Sequence, residues 1–236
     1  MASVLHHSTH VSRARSAWRV KQRPGQTRRQ TGHQAADCGL TNDDVLRALA
    51  NWTGAIAGLL LILVGGLIQA AVTVPDLEGH WSVMVLPITL QVPALLLTAL
   101  VCGQRSAILA AVGYLTLGLF QLPVFHGGGG PAYLLDPGFG YLAGFVPAGW
   151  VTGKLARQRG MNSLLHLTLA SLIGLGVIQI CGVLNLLLGA VAGRWEEGLL
   201  TMLISYSLVP LVSQLILCCA VAVVAFGMRK LLLIPS

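Results

Sequence analysis

After Arg47, six long stretches of this chain contain no Asp, Glu, Lys or Arg: residues 48–75, 79–104, 106–135, 137–153, 160–193 and 198–228. The hydrocarbon core of a bilayer takes about 20 mostly apolar residues per helix, and five of the six stretches exceed that length. The stretch 137–153 is shorter, but the aliphatic stem of Lys154 lengthens it by letting the ammonium reach the interface. Only 10% of the residues are charged, against about 25% in a soluble domain. The pattern predicts an integral membrane protein of the all-α class, a bundle of six transmembrane helices over residues 40–230. Residues 1–39 form a separate, disordered basic tail.

The basic residues orient the bundle. Eight precede the first span, ending at Arg47. Arg105 follows the second, Lys154, Arg157 and Arg159 follow the fourth, and Arg229 and Lys230 follow the sixth. Fourteen of the fifteen Lys and Arg thus fall on one side; Arg194 falls on the other, with Asp76, Glu78, Asp136, Glu196 and Glu197. The positive-inside rule then places both termini in the cytoplasm, with the chain in the plasma membrane. The net charge of +7 is explained by this topology and calls for no nucleic-acid partner.

The tail is Arg-rich, carries His6, His7, His10 and His33, and has no acid before Asp37. It lacks the apolar run of about 7–15 residues that marks a secretory signal. Three readings stay open: a cytoplasmic tail drawn to anionic membrane lipid, a start codon assigned too early, or an organellar transit peptide, which would put the protein in a plastid membrane. The five cysteines are scattered and show no metal-ligand spacing, as expected of small packing residues in apolar helices.

Between the third and fourth spans lies LPVFHGGGGPAYLLDPGFGYLAGF, Leu122 to Phe145, a glycine-rich and aromatic segment with almost no charge. Gly127, Gly128, Gly129 and Gly130 allow the backbone to approach a ligand closely. Phe125, Tyr133, Phe139 and Tyr141 offer flat apolar faces, two of them with hydroxyls. Such a segment serves as a lid or pocket wall, or else as a flexible linker; Pro123, Pro131 and Pro137 favour the ordered alternative. Span two, about 83–102, contains Pro87 and Pro93 and should be broken near its outer end, beside the polar Thr89 and Gln91. Together with Tyr133, Tyr141, Asn185, Tyr206 and Gln214, these make a row of neutral polar groups toward one side. That row suits a neutral, hydrogen-bonding small solute in an apolar pocket.

Span one, about 50–73, carries Ala50, Gly54 and Gly58 at four-residue spacing. Small residues so placed let another helix approach closely, either a partner subunit or a neighbour in the same bundle. No charged residue lies deep in any span, which argues against proton relay or ion-coupled pumping. There is no phosphate-binding Gly-rich loop with Lys and Ser/Thr, hence no nucleotide hydrolysis. No nucleophile and base can be paired, so the chain is not expected to be an enzyme, and no cofactor or metal is implied.

The runs PITLQ (Pro87 to Gln91), GQRSA (Gly103 to Ala107), GYLTLGLFQLPVF (Gly113 to Phe125) and DPGFGYLAGFVPAGWVTGKLA (Asp136 to Ala156), with the glycine cluster between the last two, resemble the BioY family. These are the biotin-binding S components of energy-coupling factor (ECF) transporters. PGFGYL and the later PLVSQL, Pro210 to Leu215, are most similar to cyanobacterial-type members. The resemblance implies six helices of the ECF S-component type, an outward-facing biotin pocket under the loops, and docking of the first helix onto a transmembrane coupling subunit. That subunit carries two cytoplasmic ATPase subunits. Many members carry an Asp and, three residues on, a Lys in the last helix; the corresponding positions here are Gln214 and Leu217.

On that basis the substrate-binding residues are Thr89, Gln91, Phe125, Gly127, Gly128, Phe139, Gly140, Tyr141 and Gln214, and the partner-docking residues are Ala50, Gly54 and Gly58. The ring hydrogen bonds fall to Gln91, Tyr141 or Gln214, and the apolar walls to Phe125 and Phe139. Without the family's Lys, the carboxylate is left to the amides of the glycine cluster, to Arg194 or to water. The function expected is biotin uptake as an S component. The alternatives are an S component for another vitamin-like solute and a membrane assembly factor without catalytic activity.

Overall fold

A computed structural model describes residues 42–75, 81–120, 124–125, 129–158, 163–195 and 198–232. The tail predicted over residues 1–39 lies outside the described residues. Helix α1, Asn42–Leu67, is followed by an antiparallel hairpin of β1, Gln69–Pro75, and β2, Trp81–Thr89. Then come α2, Gln91–Cys102; α3, Gln104–Leu119; α4, Phe139–Ala143; α5, Phe145–Leu155; and α6, Leu164–Val191. The last pass joins α7, Leu199–Leu203, a π-helical turn at Ile204–Leu208 and α8, Val209–Leu231. A 3-10 turn, Pro131–Leu135, precedes α4.

The described helices therefore make six passes, as the charge-free stretches predict. Three of them, Asp44–Leu67, Leu164–Val191 and Leu199–Leu231, are long and apolar enough to cross a bilayer by themselves. The protein is a membrane protein. The second pass is shorter than expected: residues 83–89 belong to β2 and the helix begins at Gln91. The two prolines explain the shift. Pro87 would break a helix, whereas Pro93 sits in the first turn of α2, where its missing N–H has no intrahelical partner to lose. The hairpin is accordingly a local departure from an otherwise all-helical bundle.

The bundle has two chemically different ends. At one, the hairpin, the glycine-rich segment and the α6–α7 connection gather; this is the loop end. At the other, the arginine end, α2 turns into α3 through Gly103 alone. Its φ of 88° is a left-handed conformation that disfavours any side chain, and a Cβ there would lie 2.2 Å from Arg157 Nε. Arg157 donates to the Cys102 carbonyl at 2.7 Å, and the buried Arg229 donates to the Ala156 carbonyl at 2.9 Å. Both guanidinium groups thus sit on the negative C-terminal ends of helices. Lys154 lies over the exposed Trp150 ring at 4.8 Å, consistent with a stem reaching for the interface.

The core runs between the ends and includes the fully buried Leu95, Leu96, Tyr114, Phe145, Leu167 and Ile178. The small residues of α1 divide. Ala50 is exposed, but Gly54 faces α2 and α3, where a Cβ would stand 3.0 Å from Cys102 Cβ and Ser106 Oγ. Gly58 is buried against Thr98. Of the three residues expected to dock a partner, two are occupied by packing inside the bundle. The four-residue spacing is the same for either use, which is why the sequence could not separate them.

Candidate functional site

At the loop end, the described part of the glycine-rich segment folds back over α3. Gly130 N–H donates to the Gly118 carbonyl at 2.8 Å. Phe125 lies on Gly118, where any Cβ would stand 2.0 Å from Phe125 Cζ. The Phe125 ring meets Tyr114 edge-on at 5.3 Å and Tyr133 at 4.7 Å, and Tyr114 stacks on Phe145 at 6.2 Å. Such contacts add roughly 0.5–1.5 kcal/mol per pair beyond burial. The described part of the segment is thus a wall packed against α3. Phe125 is 4% exposed and anchors this wall from inside. Gly127 and Gly128 lie outside the described residues. Gly130 cannot join an anion-binding nest here, because its N–H is already bonded.

Gln91 ties the wall to α2. Its Nε2 donates to the Tyr114 hydroxyl at 2.9 Å, and that hydroxyl donates to the Val124 carbonyl at 3.1 Å. The direction of the relay is fixed: a carbonyl only accepts, so Tyr114 gives its one proton to Val124 and accepts from Gln91. The groups left to Gln91 are its carbonyl oxygen, an acceptor, and the second N–H of its amide, a donor. Gln91 is 6% exposed, and Thr89, at the end of β2, is half-buried beside it. Tyr114 was not among the expected site residues. Its four-residue spacing to Gly118, within GYLTLGLF, was the signal available.

Further along, α4 lies against α6. A Cβ on Gly140 would stand 2.2 Å from Asn185 Cβ, and one on Gly182 2.2 Å from Tyr141 Cε1. Gly140 is therefore buried where α4 packs on α6. The Tyr141 ring crosses α6 at Gly182, and its hydroxyl is hydrogen-bonded to Ser207 in the π-helical turn. Asn185 donates to the Pro137 carbonyl at 3.2 Å. Phe139 is half-buried at the start of α4. Tyr133, in the 3-10 turn, has its hydroxyl pushed up to about 12, first by burial and then by the charge of Asp136 and by Tyr206. It remains a neutral donor throughout the physiological range.

Gln214 lies deeper. Gln179 Nε2 donates to Gln214 Oε1 at 2.9 Å, joining α6 to α8. The structure thus places Gln91 and Phe125 around Tyr114, sets Gly140 and Tyr141 on α6, and puts Gln214 in a separate contact with Gln179. Among the described residues no cluster of three His, Cys, Asp or Glu could hold a metal ion.

Residues 44–233 match the BioY family. The chain belongs to the BioY family. It is 35% identical over 145 residues to an uncharacterized 21.2 kDa protein of Cyanophora paradoxa, covering 61% of this chain and 75% of that protein. It is 38% identical over 92 residues to a probable biotin transporter BioY of Lysinibacillus sphaericus, covering 39% of this chain and 47% of the relative. With the biotin transporter BioY of Thermotoga maritima it shares 39% identity over 98 residues, 41% of this chain and 57% of that one. The matches to these two transporters thus span about half of each relative. The crystal structure of the S-component for biotin from an ECF-type ABC transporter superposes with a TM-score of 0.60 at 21% identity. It covers 80% of this chain and 94% of that chain, and the likeness establishes an S-component fold for this BioY member.

Proposed function

We propose that this BioY-family chain binds biotin at its loop end and serves as the substrate-binding S component of an ECF-type transporter. The observation that carries the reading is the character of the loop end. Neutral amide and hydroxyl groups from α2, α3, α4, α6 and the π-helical turn are gathered beside a folded-back aromatic wall, with the Asp136 carboxylate at their edge accepting from Gly138 N–H, and the Gln179–Gln214 amides lie deeper in the bundle. A cyclic urea needs such donors and acceptors, and the apolar thioether ring of biotin needs aromatic or aliphatic walls. Leu217 supplies no cation for the acid chain, which in this reading extends toward the loop end and water.

In this reading the loop end faces outward and the arginine end faces the cytoplasm of the plasma membrane, with both termini inside. Residues 1–39 are a tail that plays no part in binding, and a plastid membrane is the site if they are a transit peptide. A transmembrane coupling subunit and two ATPase subunits supply the energy. Because Gly54 and Gly58 are packed within the bundle, the small residues of α1 open to the coupling subunit are Ala50 and Ala57, both exposed. Uptake of labelled biotin into cells lacking their own transporter, with and without an ECF energising module, tests the proposal. Biotin-dependent accumulation supports it; accumulation of another vitamin but not biotin favours a different solute for the same fold.

A further inference from the structure

The Gln179–Gln214 pair lies far from either end of the bundle. Gln214 is 15 residues beyond Leu199, and Gln179 is 12 residues short of Val191. At about 1.5 Å per residue, both sit roughly 20 Å below the loop end, near the middle of a bilayer about 30 Å thick. Their mutual bond uses one N–H and one carbonyl oxygen. The NH2 group of Gln214 and the carbonyl oxygen of Gln179 remain, beside the second N–H of Gln179. Exchanging O and N in both side chains changes which residue supplies which group, but still leaves an unbonded NH2 group on one residue and an unbonded carbonyl oxygen on the other.

A pair that only held α6 to α8 would leave those two groups unmatched at mid-membrane, which is unfavourable in an apolar surround. They are not sealed into the packing either. Among the described residues, the Thr152 hydroxyl is the one buried side-chain oxygen or nitrogen without a hydrogen-bond partner. Both glutamines are only partly buried. On α8, Gln214 lies one turn from the buried Cys218, which itself contacts Ser171 of α6, so the pair belongs to the inward-facing seam.

We propose that Gln179 is a substrate-recognition residue that acts with Gln214 as one amide edge for the ureido ring. The assignment rests on the biotin reading above and adds to it a residue of α6. A cyclic urea presents an N–H beside a C=O, and the glutamine pair presents an acceptor beside a donor. Two parallel hydrogen bonds satisfy all four groups. Fixing Gln214 through Gln179 also orients it before the ligand arrives, so less ordering remains for binding to accomplish.

Calorimetry on the purified full chain, with biotin and with 5-(thiolan-2-yl)pentanoic acid, tests the assignment. That analogue keeps the thioether ring and acid chain but lacks the urea. The parent should bind biotin at least about a hundredfold more tightly than the analogue, as expected when a site's buried polar groups are left unpaired. Gln179→Leu, and the closer isostere Gln179→Met, should each weaken biotin by about tenfold or more and leave the analogue unchanged. Equal loss for both ligands, or unchanged biotin binding in either folded variant, overturns the assignment while the biotin reading stands. So does a parent that binds the two ligands equally. A parent that binds no biotin overturns the biotin reading and this assignment with it.

Discussion

A Cβ built on Gly58 of α1 would stand 2.3 Å from Thr98 Cγ2 of α2, so these two helices touch where a side chain cannot fit. Thr98 itself is held in place, its hydroxyl bonded to the Ala94 carbonyl at 2.8 Å. Gly58→Leu should therefore disrupt the bundle, by about 1–3 kcal/mol or more for forced overpacking. Thermal unfolding in detergent should show a lowered midpoint, together with loss of ligand binding. Ala50→Leu, on the exposed face, should leave the midpoint alone. An unchanged midpoint for Gly58→Leu would mean that α1 does not pack on α2 in this way.

Tyr114 is the middle member of the relay from Gln91 to the Val124 carbonyl, and its loss should be felt at both ends. Tyr114→Phe leaves the ring contacts in place but removes the acceptor for Gln91 and the donor for Val124. Leaving such buried partners unmatched costs about 1–3 kcal/mol. The double variant with Gln91→Leu should be less destabilised than the sum of the singles, because one network is lost only once. Strict additivity would show that the two residues act independently.

Ala132 is exposed in the 3-10 turn beside the aromatic wall. With the native cysteines replaced, Ala132→Cys should react with an impermeant maleimide added to intact cells. Reaction only after permeabilisation would invert the proposed topology.

The raised titration of Tyr133 has a defined consequence for alkaline stability. Folding favours its neutral form, so its contribution is complete below the ordinary tyrosine value near 10. The contribution is lost as the pH climbs toward about 12. Difference absorbance of tyrosinate between the parent and Tyr133→Phe should place that titration near pH 12, with no step between pH 6 and 9. A step near 10 would show that Tyr133 is solvated.

Much of the fold was legible because charge is forbidden at membrane depth: the six charge-free stretches correspond to six helical passes. The hairpin was not legible, since an apolar run ending in Pro87 suits a strand and a broken helix alike. The site was harder for a related reason. Hydrogen-bond partners come from distant parts of the chain: Tyr114 is 23 residues from Gln91, and Gln179 is 35 from Gln214. The polar residues could be named from the sequence, but their pairing depends on how α2, α3, α6 and α8 face one another. Phe125 and Gly140 have the composition expected of a ligand wall. That Gly118 and Asn185 lie directly against them is set by the three-dimensional packing and not by composition.

The central claim is that this chain by itself recognises biotin at the loop end, and equilibrium binding of labelled biotin to the purified protein measures it most directly. Saturable binding is expected without any energising subunit. Gln214→Leu should reduce it by about 5- to 150-fold, the equivalent of one lost buried hydrogen-bonding partner. Deleting residues 1–38 should leave it unchanged, because a polar, Arg-rich segment has little apolar surface to add to the bundle. A correctly folded protein that shows no saturable biotin binding would contradict the account.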